Sequence, residues 1–122
     1  MSKKILVVDD EPFIVRSLTY VLGREGYECS IATDGEEALN QIKKNKPDLI
    51  FLDIMMPKID GYEVCRQIKS DPDLKNIYII MLSAKGQAAE KEKGFSVGVN
   101  EYITKPFSPT NILRRIKEIF KD

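Results

Sequence analysis

The stretch that decides the fold is residues 4–12, KILVVDDEP. An apolar run, residues 5–8, leads directly into the three carboxylates of Asp9, Asp10 and Glu11 and then into Pro12, which suits the first turn of a helix. A short apolar run followed at once by a helix is typical of a buried parallel strand in a βαβ unit. Three adjacent like charges repel one another unless a cation lies among them. The stretch therefore predicts a strand, a helix and a cation-binding acidic edge between them.

The same alternation continues along the chain, and it predicts a mainly parallel sheet. The predicted strands are residues 5–8, 28–32, 49–52, 77–82 and 101–104. The first predicted helix begins at Pro12 and ends near Glu25, because Gly26 follows. Capping-box spacing opens the second and third helices, with Asp34 before Glu37 and Asp60 before Glu63. The fourth, residues 87–97, is mostly polar, and the last begins at Ser108 and Pro109 and has one apolar stripe.

Length and composition exclude several classes of protein. A chain of 122 residues fits one domain, and we assign residues 1–122 to it. Basic and acidic residues balance at 19 each, which argues against direct binding of nucleic acid. The sequence has neither an apolar run of about 18 residues nor a secretory signal, so we expect a cytoplasmic protein without membrane contact. Cys29 and Cys65 lack the CxxC spacing of metal or redox motifs and are predicted to be buried thiols.

The chain contains no histidine. This excludes Ser-His and Cys-His nucleophile pairs and imidazole metal sites. Any chemistry must therefore use carboxylates, hydroxyls and lysines.

The polar residues that could do such chemistry follow the predicted strands. The carboxyl ends of parallel strands meet at one edge of a sheet, where open α/β sheets carry their sites. The residues at that edge are Asp9, Asp10 and Glu11 after the first strand, Asp53 after the third, Ser83 after the fourth and Lys105 after the fifth. Each alone has an ordinary explanation, such as a helix cap or a solvated side chain. Their convergence favours a functional site.

The combination fits Mg²⁺-dependent phosphoryl transfer. Mg²⁺ takes oxygen ligands and commonly binds through one or two carboxylates plus a phosphate. Asp53 can attack phosphorus, while Lys105 can neutralise the oxygens of the transferred group and Ser83 can donate a hydrogen bond to one of them. The residues thus predict a phosphoryl-transfer site with Mg²⁺, or Mn²⁺, as its cofactor.

Four ordered motifs, VVDDEP, LIFLDIMMPKIDGYE, IIMLSAKG and NEYITKPFSP, resemble the receiver domains of two-component response regulators. The resemblance covers essentially the whole chain and is closest to single-domain, chemotaxis-regulator-like receivers. It implies a flavodoxin-like, doubly wound α/β fold, with five parallel strands in the order 2-1-3-4-5 flanked by five helices.

The resemblance also implies a role for each site residue. Asp53 is the phosphorylated aspartate, Asp10 the principal acidic metal ligand and Asp9 its acidic partner. The backbone carbonyl of Met55 completes the metal shell. Lys105 is the site lysine, and its bond to Pro106 is expected to be cis. The remaining positions are Ser83 and Tyr102, which match the switch residues, and Pro57 and Gly61, which match the turn after the phosphorylation site.

The family mechanism predicts the partners. A sensor histidine kinase or histidine phosphotransfer protein supplies the phosphoryl group, and the domain catalyses only its own phosphorylation and dephosphorylation. Phosphorylated Asp53 draws Ser83 inward and lets Tyr102 rotate, which remodels the face formed by the fourth helix, the fifth strand and the fifth helix. A downstream effector binds that face, and a phosphorylation-dependent dimer is a second use of it.

Three other functions fit the fold. An aspartyl-phosphate phosphatase would carry a second Asp two positions after its nucleophile at the end of the first strand, which this chain lacks. A nucleotide or flavin binder would have a loop rich in glycine or hydroxyl residues there, whereas DDEP repels phosphate. A phosphorylation-independent interaction module would have lost Asp53, Lys105 or the acidic pair, and all are present.

Overall fold

The computed structural model describes residues 2–56, 58–83 and 97–121. Five parallel strands form one sheet in the order β2-β1-β3-β4-β5, as predicted. The strands are β1 (Lys4–Val8), β2 (Glu28–Ala32), β3 (Leu49–Asp53), β4 (Tyr78–Ser83) and β5 (Glu101–Thr104). The predicted strands agree with these to within one residue at each end.

Four helices lie in the described residues: α1 (Pro12–Arg24), α2 (Gly35–Lys44), α3 (Gly61–Ser70) and α4 (Pro109–Phe120). Helix α4 is the last of the five predicted helices. The predicted fourth helix, residues 87–97, lies outside the described residues except for Val97, and Pro57 of the predicted turn lies outside them as well. None of the described helices has the length and apolar character needed to cross a membrane.

The helix ends follow the predicted capping residues. Asp34 accepts a hydrogen bond from the Glu37 amide at 2.8 Å, and Asp60 accepts one from the Glu63 amide at 2.9 Å. These bonds satisfy backbone donors that the first turn of a helix leaves unpaired. Helix α1 ends at Arg24, one residue earlier than predicted, and Gly26 follows with a φ of +91°.

Helices cover both faces of the sheet and create two apolar cores. One core lies between the sheet and α2 and α3, and the other lies between the sheet and α1 and α4. Strand β3 is buried along its whole length because both faces are covered. Cys65 is a buried free thiol as predicted, and burial raises its pKa to about 11. Cys29 is only half-buried, contrary to prediction, because it lies in the edge strand β2.

A half-buried lysine, Lys69, fixes the end of the sheet opposite the predicted site. The ammonium of Lys69 in α3 donates to the carbonyls of Lys75 and Ile77, at 3.0 and 2.7 Å, and to the Asn100 side-chain oxygen at 2.9 Å. Asn100 also accepts from the Ile79 amide at 2.8 Å. Lys69 therefore links α3 to the beginnings of β4 and β5.

We expect Lys69→Met to lower the free energy of unfolding by about 1–3 kcal/mol, because the apolar stem remains while the oxygen acceptors lose their donor. Lys43→Met, at an exposed position of α2, is the matched control and should change stability by less than about 0.5 kcal/mol. Urea unfolding measures both variants. Equal losses in the two would contradict a special role for the Lys69 ammonium.

Candidate functional site

The residues predicted to form the site end or follow the strands of the sheet, at its carboxyl edge. Asp9 follows β1, Asp53 closes β3, Ser83 closes β4 and Lys105 follows β5. The first three are almost fully buried, at 0%, 7% and 1% exposure. Because β1 pairs with β3 and β3 with β4, the register of the sheet brings these polar groups together. The predicted site residues therefore lie at one edge of the sheet.

Three carboxylates form a cluster that can hold a metal ion. One oxygen from each of Asp9, Asp10 and Asp53 lies within 4.8 Å of the others. Asp9 Oδ1 accepts a hydrogen bond from the Glu11 amide at 2.9 Å, which fixes the orientation of this carboxylate. Its buried Oδ2 has no aligned hydrogen-bond donor among the described residues. The Lys105 ammonium lies 2.9 Å from that oxygen, and three clustered carboxylates are the kind of oxygen donors that a hard divalent cation prefers.

Lys105 supplies positive charge to this cluster. Its Nζ lies 2.9 Å from Asp9 Oδ2, 3.2 Å from Glu11 Oε1 and 3.4 Å from Asp53 Oδ1. The contact to Asp9 is an ion pair, since the ammonium is not aligned to donate to that oxygen. Burial acts to lower the pKa of Lys105, but its carboxylate neighbours, Asp9 foremost, outweigh burial and hold the pKa above its ordinary value. The lysine is therefore a fixed cation in the described site.

The charged form of the Asp53 carboxylate is disfavoured even though Lys105 lies beside it. Burial, followed by repulsion from the charge of Asp9, raises its pKa to about 6, and Lys105 offsets the rise only in part. A carboxylate in this condition gains from a further cation. The raised pKa of Asp53 therefore agrees with an acidic cluster that can bind a further cation.

The loop after Asp53 turns tightly against the site. Gly61, the first residue of α3, donates its amide hydrogen to the Ile54 carbonyl at 2.9 Å. A Cβ atom at this position would lie 2.4 Å from the Asp53 carbonyl oxygen. Only glycine permits so close an approach, which gives a physical reason for the predicted turn position. The backbone of Asp53 is thus held from behind by the start of α3.

The other predicted residues lie around this centre. Met55 lies two residues after the end of β3 and is 76% exposed. Tyr102 in β5 is half-buried and packs against the core on the α2 and α3 side. The register pairs Met81 with Tyr102 and Ser83 with Thr104, so Ser83 and Tyr102 lie on the same face of the sheet as diagonal neighbours. The Lys105–Pro106 peptide bond is cis, as predicted.

Glu11 is the third acid of the predicted edge, but the sequence predicts neither a role for its side chain nor its contact with Lys105. No spacing rule joins two residues that lie 94 positions apart. Large surface concavities lie elsewhere, along α4 and between α2 and α3. The candidate site is therefore identified by its cluster of charged groups and not by the volume of a cavity.

The fold and the acidic edge define a class of signalling domain. A family model described as "Response regulator receiver domain" matches residues 5–117, and the chain belongs to this family, as the sequence motifs predicted. It is 49% identical to the alkaline phosphatase synthesis transcriptional regulatory protein PhoP of Bacillus subtilis over 99% of this chain and 50% of that protein. The chain spans about half the length of the curated relatives it matches.

Solved receiver structures have the same fold. The chemotaxis response regulator CheY4 of Vibrio cholerae superposes with a TM-score of 0.91 at 31% identity, covering 98% of this chain and 99% of that one. The BeF3-activated receiver domain of DrrB, a protein of Thermotoga maritima, superposes with a TM-score of 0.89 at 32% identity, covering 100% of both chains. The flavodoxin-like strand order is therefore shared with receiver domains of known structure.

Proposed function

We propose that this domain accepts a phosphoryl group on Asp53 in a Mg²⁺-dependent reaction and thereby changes the surface it presents to a partner protein. One observation carries the proposal: the buried Asp53 carboxylate lies within 4.8 Å of oxygens of Asp9 and Asp10 and 3.4 Å from the Lys105 ammonium. This arrangement combines a nucleophile, an acidic metal-binding cluster and a fixed cation at one point. Receiver-family membership supports the same reading.

The acidic cluster fits the cofactor. Asp9, Asp10 and Asp53 each present one carboxylate oxygen to the cluster. We assign these three residues and the Met55 backbone carbonyl to Mg²⁺, with Mn²⁺ as an alternative ion of similar ligand preference. A bound ion would supply positive charge that neutralises phosphoryl oxygens.

In the proposed reaction, one Asp53 oxygen attacks phosphorus. The bond from phosphorus to the phosphohistidine nitrogen of the donor breaks, and the imidazole leaves with the bonding electrons. Lys105 contacts the transferred oxygens through its ammonium, and Ser83 donates its hydroxyl hydrogen to one of them. With a small donor such as acetyl phosphate, the bond to the acetate oxygen breaks instead.

The switch uses the neighbouring strands. Phosphorylated Asp53 carries acceptor oxygens that draw the Ser83 hydroxyl inward. Because Tyr102 is a diagonal neighbour of Ser83 on the same face of the sheet, the space that Ser83 leaves is open to the tyrosine ring. The change reaches the face formed by the predicted fourth helix, β5 and α4. A downstream effector, or a second copy of the domain, binds this face differently in the two states.

The proposed phosphoryl source is a sensor histidine kinase or a histidine phosphotransfer protein. This accounts for phosphohistidine chemistry in a chain with no histidine of its own. The domain acts on its own aspartate rather than on an external substrate, and the balance of 19 basic and 19 acidic residues supports a protein partner over direct contact with nucleic acid.

Intact-mass spectrometry after incubation with acetyl phosphate tests the proposal. We expect one phosphoryl adduct with Mg²⁺ and none when the metal is removed by a chelator. Circular dichroism on the same samples shows that the protein stays folded. A folded protein that gives no adduct with Mg²⁺ present would contradict the proposal and favour a phosphorylation-independent interaction module.

The assignment of Asp10 as a metal ligand has its own test. We expect Asp10→Ala to weaken Mg²⁺ binding by at least about 10- to 100-fold, because that is the range for losing a group that only orients a metal ligand, and Asp10 is assigned as a ligand itself. Isothermal titration calorimetry measures the affinity. Asp73→Ala, at an exposed position in the loop between α3 and β4, removes the same charge far from the cluster and should leave it unchanged. Wild-type affinity in Asp10→Ala would show that the ligand is misassigned.

A further inference from the structure

The side chain of Glu11 makes a contact that the proposed reaction does not use. Its Oε1 accepts a hydrogen bond from Lys105 Nζ at 3.2 Å. We propose that Glu11 is a positioning residue that restrains Lys105 in the unphosphorylated domain and thereby slows phosphoryl acceptance. This inference rests on the proposed function, because the restraint matters only if Lys105 must reach a phosphoryl group.

The Lys105 ammonium can make only a limited number of contacts. A lysine has three N–H donors. In this structure two of them go to Glu11 and Asp53, and Asp9 Oδ2 lies 2.9 Å from the same nitrogen, so three carboxylate oxygens surround the ammonium. To contact a phosphoryl group, it must therefore release or weaken at least one of these contacts.

The three carboxylates that contact Lys105 differ in how firmly they are held. Asp9 is fully buried and its carboxylate is held by the Glu11 amide, while Asp53 is the acceptor itself and is held at the end of β3. Glu11 has a side chain that is 59% exposed, so it can swing into water without moving a strand. Glu11 is therefore the carboxylate that gives up Lys105.

Glu11 also places a negative charge at the exposed side of the site. Glu11 is the most exposed of the carboxylates that contact Lys105, so an anionic donor approaches past it. Its negative charge repels the anionic donor. It also attracts the Lys105 ammonium, which must contact the phosphoryl group of that donor. Both effects act in the same direction, so removal of the charge should accelerate the reaction.

Glu11→Gln tests the inference by removing the charge and keeping the size of the side chain. We expect acetyl phosphate to label this variant about two- to fivefold faster than wild type at saturating Mg²⁺ and low salt, the range for an exposed ion pair. The ratio should approach one near 1 M salt, because exposed charges are screened. Glu28→Gln, an exposed acid at the opposite end of the sheet, should label at the wild-type rate.

A second measurement separates this inference from the proposed function. Acylation of the Lys105 amine by a neutral activated ester, in metal-free protein and read by peptide mass spectrometry, needs no phosphoryl transfer. The restraint predicts faster modification in Glu11→Gln than in Glu28→Gln. Absence of a phosphoryl adduct in wild type overturns the proposed function. A Glu11→Gln variant that labels no faster than Glu28→Gln, or with a ratio independent of salt, overturns the role of Glu11.

Discussion

Asp53→Asn is expected to abolish the phosphoryl adduct and to make the metal-free protein more stable at neutral pH. The amide cannot form the acyl phosphate, so labelling falls below detection. Stability rises because the variant removes a buried carboxylate that repels Asp9. Loss of function together with a gain in stability is the pattern expected where an active site holds like charges close together.

The pH dependence of this gain follows from the Asp53 pKa. The pKa is raised to about 6 in the folded protein, so folding favours the protonated form. Below the ordinary pKa of about 4, the side chain is protonated in both states and carries no penalty. The penalty develops as pH rises from about 4 to about 6 and is constant above that range. The full shift corresponds to about 3 kcal/mol, and screening by water at the open edge reduces the expected gain to about 1–2 kcal/mol.

Urea unfolding of metal-free protein at pH 7 and pH 4 measures this gain. We expect Asp53→Asn to exceed wild type at pH 7 and to match it at pH 4. Asp73→Asn changes the net charge equally at an exposed position and serves as the control. If Asp53→Asn were less stable than wild type at pH 7, the carboxylate would be a stabilising partner of Lys105, and our account of the site electrostatics would fail.

Gly61→Ala is the second substitution with a large expected effect. The added Cβ would lie 2.4 Å from the Asp53 carbonyl oxygen and 3.0 Å from Ile54 Cα. Both atoms are backbone, so either the end of β3 or the start of α3 must move. We expect the free energy of unfolding to fall by about 2–3 kcal/mol. Labelling by acetyl phosphate should slow as well, because Asp53 is displaced from the acidic cluster.

Gly23→Ala provides the matched control for this substitution. A Cβ on Gly23, in α1, meets nothing within 4 Å. Alanine is the better helix former, so we expect a gain of up to about 1 kcal/mol. Urea unfolding and the labelling rate are measured for both variants. A Gly61→Ala protein with wild-type stability and labelling would show that the close approach at Gly61 does not hold Asp53 in place.

Much of the fold could be predicted because its signals are local. Apolar runs such as residues 49–52, separated by helices with capping residues, identify buried parallel strands without knowledge of their neighbours. Strand ends are less predictable, because they depend on hydrogen bonds to adjacent strands. Asp53 belongs to β3 since it pairs with Leu82 of β4, although its charge suggested a position after the strand. Cys29 is predicted to be buried, but it is half-buried because it lies in the edge strand β2.

The candidate site could likewise be predicted only in part. Asp9, Asp10, Asp53 and Lys105 could be grouped from the sequence because parallel strands bring their carboxyl ends to one edge. Distances could not be predicted. The contact between Glu11 and Lys105, the buried Asp9 oxygen without a hydrogen bond and the raised pKa of Asp53 depend on side-chain placement after packing. These features determine how the charged residues can act on a phosphoryl group.

The measurement that tests the central claim most directly is the location of the phosphoryl group. Protein incubated with acetyl phosphate and Mg²⁺ is treated with borohydride, which reduces an acyl phosphate to an alcohol and releases phosphate. Peptide sequencing by mass spectrometry then locates the homoserine that replaces the modified aspartate. We predict homoserine at position 53 alone. Homoserine at position 9 or 10, or at no position in a folded and metal-loaded protein, would contradict the assignment of Asp53 as the phosphoryl acceptor.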